Sequence, residues 1–197
     1  MSLIEEIKKH PAHAKLALLI RHADREAIPA GEFGNEILIN EKGKQNAFEF
    51  GRKLKEFQVN KIFSSPIPRC IQTAEFIVEG YGAKLEIVST KCLGDPGLHV
   101  ADEKLAGEFY LQYGFDEMYQ RFIREETIPG IPDKEAYKQL MSDFIKVNSK
   151  ENGLTIFVTH DSLIAFYHYC LNKKVYTKEN WVKYLDGLIL TNELKEK

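Results

Sequence analysis

The chain has 197 residues, 44% hydrophobic and 28% charged, with a formal net charge of −2. That balance leaves no broad basic field to hold nucleic acid or an anionic membrane, so any anion site must be a local cluster of arginines. Three scattered cysteines, Cys70, Cys92 and Cys170, form no CxxC pair, which points to reduced thiols without a disulfide framework or a thiolate metal site.

The opening stretch, MSLIEEIKKHPAHAK, has apolar residues at 3, 4 and 7. It predicts a short amphipathic helix stopped by Pro11. It lacks the apolar centre of a secretory signal, and no segment reaches the roughly 18 apolar residues of a membrane span. The protein is therefore expected in the cytoplasm. KLALLI at 15–20 is an apolar run that suits a central strand covered on both faces. Residues 22–40 read as loop. From Asn40 a helix is predicted, with Ala47, Phe50, Leu54 and Phe57 at helical spacing. VNKIFSS at 59–65 is a second strand. RCIQTAEFIVEGYG at 69–82 is a helix stopped by its glycines, and AKLEIVST at 83–90 alternates like an edge strand.

Residues 92–132 are broken by Gly94, Pro96, Gly97, Pro129 and Pro132, with a helix expected around 101–126. Its aromatics, Phe109, Tyr110, Tyr113, Phe115, Tyr119 and Phe122, read as core more readily than as a stacking surface for a ligand. Asp133 caps the next predicted helix, whose apolar face is Ala136, Leu140, Phe144 and Val147. GLTIFVT at 153–159 is a strand, SLIAFYHYCLN a helix and DGLILTN at 186–192 a last strand. Strands alternating with helices predict an α/β fold, a three-layer αβα sandwich around a mostly parallel sheet. The whole chain, 1–197, is expected to form one domain with a cap-like insertion around 92–132.

Ligands of such sheets bind beyond the carboxyl ends of the strands. Charged residues gather there three times. Arg21, His22 and Arg25 follow one strand, Arg69 follows another, and His160 and Asp161 follow a third. A phosphate monoester suits that set. Guanidinium groups donate paired hydrogen bonds to its oxygens. A neutral imidazole can attack phosphorus, and a carboxylic acid can protonate the leaving oxygen. No metal or cofactor is needed. Spacing alone supports an anion site suited to phosphoryl transfer, and Asp161 could equally be a helix cap.

At these residues the sequence resembles the histidine phosphatase superfamily, which includes the phosphoglycerate mutases and histidine acid phosphatases. LLIRHADR resembles its Arg-His-Gly strand, and INEKGKQNAFEFGRKL the start of its following helix. IFSSPIPRCIQTAEFI resembles its Ser-Ser-Pro-x-x-Arg block, and IFVTHDSLI the strand of its second histidine. The blocks keep family order over residues 15–190. The resemblance implies a phosphoglycerate mutase-like fold. It implies His22 as a nucleophile that becomes phosphohistidine, with Arg21, Arg25, Arg69 and His160 binding phosphate. The acid phosphatase branch takes its proton donor from the His-Asp pair, here Asp161. The mutase-like branch takes a glutamate from the middle of the chain, where Asp95, Asp102 and Glu103 are the acids available. Ala23 and Asn40 depart from the family's glycine and threonine.

The expected activity is metal-independent hydrolysis of a phosphomonoester, either a small molecule or a phosphoprotein. The alternatives are a mutase-like phosphoryl transferase and a non-catalytic phospho-ligand binder. A mutase must also grip a carboxylate, and 92–132 offers only Lys104, Arg121 and Arg124 as cations.

Overall fold

A computed structural model describes residues 3–11, 13–29 and 32–191. Its strands are β1 (Lys15–Arg21), β2 (Val59–Ser64), β3 (Ile87–Ser89), β4 (Gly153–Thr159) and β5 (Gly187–Thr191). They form one sheet in the order β3-β2-β4-β1-β5, parallel except for β5, which pairs antiparallel with β1 at one edge.

The helices are α1 (Leu3–Ile7), α2 (Glu41–Lys53), α3 (Pro68–Tyr81), α4 (Glu103–Ile123), α5 (Lys134–Asn148) and α6 (Asp161–Asn172). The two-residue period of β1 divides the core between two layers. Leu16, Leu18 and Ile20 join the side chains of α1, α2 and α3, while Ala17 and Leu19 join those of α4, α5 and α6. The three-layer αβα expectation is met. Among the described residues no helix is long and apolar enough to cross a membrane.

Several boundaries differ from the sequence reading. α2 ends at Lys53, and a single 3-10 turn, Leu54–Glu56, carries the chain on. β3 keeps three residues of the expected eight, because at the sheet edge only β2 is there to pair with it. α4 is capped by Asp102 but broken at Gly114, whose φ of 76° and ψ of 170° are not helical. On α5 the buried stripe is Tyr137, Met141 and Ile145, one residue on from the predicted face, and Leu140 and Val147 are exposed. The helix carries two apolar stripes, and the one with the bulkier side chains goes inward. In the last strand Asn192 lies outside the described residues, as do Met1, Ser2 and Ala12 of the opening stretch.

α2 and α3 cross with their backbones almost touching. A Cβ on Gly51 would collide with the carbonyl of Ile77, and one on Gly80 with the carbonyl of Phe48. Only glycine permits that approach.

Candidate active site

β1 and β4 pair in register from Lys15 with Gly153 to Arg21 with Thr159, so both strands stop at the same level. The next residues, His22 and His160, are therefore neighbours. His22 N donates to Thr159 O at 2.9 Å, and the ring centroids are 5.6 Å apart. β2 ends alongside, where Ser65 N donates to Val158 O at 3.0 Å. Pro68 then starts α3, in the first turn where its missing N–H leaves no bond unmade.

Arg69 follows Pro68, and its side chain joins the two histidines. Nε donates to His22 Nε2 at 3.2 Å, and Nη2 lies 3.4 Å from His160 Nδ1. Nη1 donates to Gly34 O at 2.7 Å.

Two contacts set the tautomer of His22. Its Nδ1 is 2.8 Å from Ala23 O, which can only accept, so Nδ1 carries the proton. Arg69 Nε can only donate, so His22 Nε2 presents its lone pair. Burial holds His22 well below the ordinary histidine value. The Ala23 carbonyl opposes that shift, and Arg69, Arg21 and Arg25 add to it. Burial lowers His160 as well, helped by His22 and Arg69. Both shifts favour the neutral ring.

The other predicted residues are placed less uniformly. Arg21 Nη1 donates to Val182 O at 2.6 Å, and Nη2 is 2.7 Å from Asp161 Oδ2. Its guanidinium lies 4.1 Å over the Tyr184 ring, and its Nε is buried without a partner. Arg25 has a buried, unpartnered Nε too. Asp161 is the first residue of α6, and the capping position belongs to His160. Asp161 Oδ2 accepts from Trp181 Nε1 at 3.0 Å as well as pairing with Arg21, and Oδ1 accepts from Ser162 N at 3.0 Å. In each of these contacts the carboxyl oxygen is the acceptor.

The cluster opens into a cavity of about 440 Å³. His22, Arg25, Arg69, His160 and Asp161 lie at its polar end, and residues between Gly94 and Met118 form much of the rest. Arg21 does not line it. Thr159 Oγ1 donates to Leu93 O at 2.6 Å, which fastens this segment to the end of β4. A Cβ on Gly94 would stand 2.5 Å from Ser65 Oγ and 2.6 Å from His160 Nε2. Asp95, the next residue, lines the cavity at a φ of 64°, a conformation that side chains adopt sparingly. Glu103 lines it at an exposed position, and Asp102 is committed to capping α4 through Leu105 N.

The departures at Ala23 and Asn40 are accommodated. Ala23 does not require a positive φ, and its N donates to Thr73 Oγ1 at 2.9 Å. Asn40 caps α2 by accepting from Gly43 N. Sequence reasoning assigned no role to Ser65, whose Oγ is 3.0 Å from His160 Nε2, or to Cys70, whose Sγ is 3.6 Å from the same nitrogen. Both lie inside the Ser-Ser-Pro block, which was the signal for them. Burial pushes Cys70 up to about 12, so it stays a thiol. Nothing local in the sequence pointed to Trp181.

Two histidines and two arginines thus line one end of the cavity, just beyond where the parallel strands end. The chain belongs to the histidine phosphatase superfamily (branch 1), whose family model matches residues 17–178. It is 26% identical over 153 residues to the 2,3-bisphosphoglycerate-dependent phosphoglycerate mutase of Thermoplasma acidophilum, covering 76% of this chain and 72% of that one. Solved structures share the fold. A phosphoglycerate mutase from Bacillus anthracis aligns with a TM-score of 0.56 at 19% identity, over 91% of this chain and 93% of that one. A phosphoserine phosphatase from Entamoeba histolytica, in complex with phosphoserine, aligns at 0.54 with 23% identity and 79% of each chain. The protein histidine phosphatase SixA, complexed with tungstate, aligns at 0.52 with 11% identity, over 89% and 86%.

Proposed function

We propose that the protein hydrolyses a phosphomonoester through a phosphohistidine on His22. The observation that carries this reading is the locked tautomer: Nδ1–H on the Ala23 carbonyl leaves the Nε2 lone pair beside Arg69, at the polar end of the cavity. Arg69, Arg25 and His160, which line the cavity, bind the phosphoryl oxygens. Nε2 attacks phosphorus and forms the P–N bond. The P–O bond to the leaving group breaks, and its electron pair departs with that oxygen, which takes a proton. Water then attacks phosphorus, the P–N pair returns to Nε2, and the water's proton passes to the group that gave up the first.

We assign that proton to Asp95 in place of Asp161. The oxygens of Asp161 are engaged by Arg21, Trp181 and Ser162 N as acceptors, which anchors Arg21. Asp95 lines the cavity beside Gly94, which abuts His160. The cap-like role of residues 92–132 belongs to the same proposal.

The test is turnover of an aryl phosphate and an alkyl phosphate in the presence of chelator, with phosphate trapped as an acid-labile, base-stable adduct. Turnover and adduct should both vanish in His22→Ala. Asp95→Asn should slow the alkyl ester by about 10²-fold while sparing the aryl ester, whose leaving group needs little protonation. The same selectivity in Asp161→Asn or Glu103→Gln would move the proton there. Interconversion of 2- and 3-phosphoglycerate faster than their hydrolysis would make the protein a mutase.

A further inference from the structure

We propose, building on the phosphatase reading, that the site takes monophosphates of uncharged, ring-bearing alcohols and discriminates against those that carry a carboxylate. The cavity, at about 440 Å³, has room for much more than a phosphate. Beyond the polar end its walls carry an aromatic and aliphatic patch beside two acidic side chains, Asp95 and Glu103. Phe33 and Tyr110 stack with centroids 5.0 Å apart and planes 24° from parallel, and both line the cavity. Phe115 and Met118 line it as well. Phe33 is 48% exposed, so part of its ring stays free to meet a ligand.

Charge makes the same selection. Among the described residues the cations lining the cavity are Arg25 and Arg69, and a phosphate dianion engages both. The other charged lining groups are Asp95, Glu103 and Asp161, the last already paired with Arg21. Lys91 approaches Asp95 at 3.7 Å but does not line the cavity, and Arg121 is paired with Glu117. A carboxylate on the leaving group would meet acidic side chains and no free cation. His99 supplies a neutral polar point. Its ring lines the cavity, its Nδ1 is buried without a partner, and burial pushes it down to about 4, so it is a neutral imidazole. It can make one hydrogen bond to an otherwise apolar alcohol.

The deciding measurement compares kcat/KM for 2-phenylethyl phosphate, ethyl phosphate and 3-phosphoglycerate, all of which release an aliphatic alkoxide. The phenyl ester should exceed ethyl phosphate by about tenfold or more through ring burial. It should exceed 3-phosphoglycerate by about 10²-fold through charge. Tyr110→Ala and Phe33→Ala should each lower the phenylethyl-to-ethyl ratio several-fold, and Glu103→Lys should raise the relative rate on 3-phosphoglycerate about tenfold. Thermal melts establish that the variants fold. A preference for 3-phosphoglycerate, or ratios unmoved by the folded variants, overturns the proposal and leaves the phosphatase reading standing. If no ester turns over, the phosphatase reading falls. The affinities of His22→Ala for the same three esters then decide the specificity, which fails if 3-phosphoglycerate binds as tightly as the phenyl ester.

Discussion

At the carboxyl ends of β1, β2 and β4, polar side chains stand where strand register puts them. Across the same cavity, residues from Gly94 to Met118 present side chains from a loop and a broken helix. The first group is held by many bonds per residue: Arg69 alone reaches His22, His160 and Gly34. The second group is held by shape, through Phe33 on Tyr110 and through Phe109, Tyr119 and Phe122 packed into the core. A floor built on ladder hydrogen bonds can keep the reacting atoms within tenths of an ångström. A wall built on side-chain packing can change its outline without disturbing them.

The sharpest way to break this contrast is at the floor itself. His22→Ala should lower kcat by at least about 10⁴-fold, with a circular dichroism spectrum near the parent's to show that the variant is folded. Gly94→Ala tests the seam between the two regions. Its Cβ would drive into Ser65 Oγ and His160 Nε2 at 2.5 and 2.6 Å, so about a 10²-fold loss in kcat is expected together with a lower melting temperature. A variant with full activity would mean that wall and floor move independently.

Acid should act on both regions through their buried histidines. His22, His99 and His160 are all held below the ordinary histidine value by burial. Below pH 6.5 the unfolded chain takes up protons that these native rings refuse. Stability should therefore fall as pH drops from 6.5, by up to about 1.4 kcal/mol per unit for each ring, as urea midpoints would register. The loss stops for each ring once pH passes its native value, about 4 for His99. Over the same range the His22 ring should stay neutral in an NMR titration; a midpoint at 6.5 would mean that the ring is not buried as described. The smallest effect belongs to the wall. Tyr119→Phe removes the acceptor for Tyr176 N, a 3.0 Å bond, and should cost about 1 kcal/mol of stability in denaturant melts with kcat unaltered.

The same contrast explains what could be read from the residues alone. Arg21-His22 and His160-Asp161 stand out because an unbroken apolar run ends abruptly in charge, and a parallel sheet has only one end at which such residues can meet. Arg69 stands out through the prolines that place it at a helix start. The wall has no comparable signature. Phe33 sits in a loop without periodicity, and its partner Tyr110 is far along the chain. The aromatics of 109–122 serve both purposes at once: Tyr110 and Phe115 line the cavity while Phe109, Tyr119 and Phe122 are buried. The break at Gly114 that lets one helix do this looks, in sequence, like any tolerated glycine. The capture of Asp161 by Arg21 and Trp181 depends on three separate segments and leaves no local pattern.

The tight crossing of α2 and α3 gives the molecule a fulcrum. Arg69 rides at the front of α3, while the contacts at Gly51 and Gly80 lie near its far end, roughly 16 Å away along the axis. Rocking α3 by about 4° about that point would swing the guanidinium by roughly 1 Å, a displacement large enough to cost about 10² in rate. A methyl group added at Gly51 or Gly80, far from any substrate, should thus detune the proposed reaction through leverage.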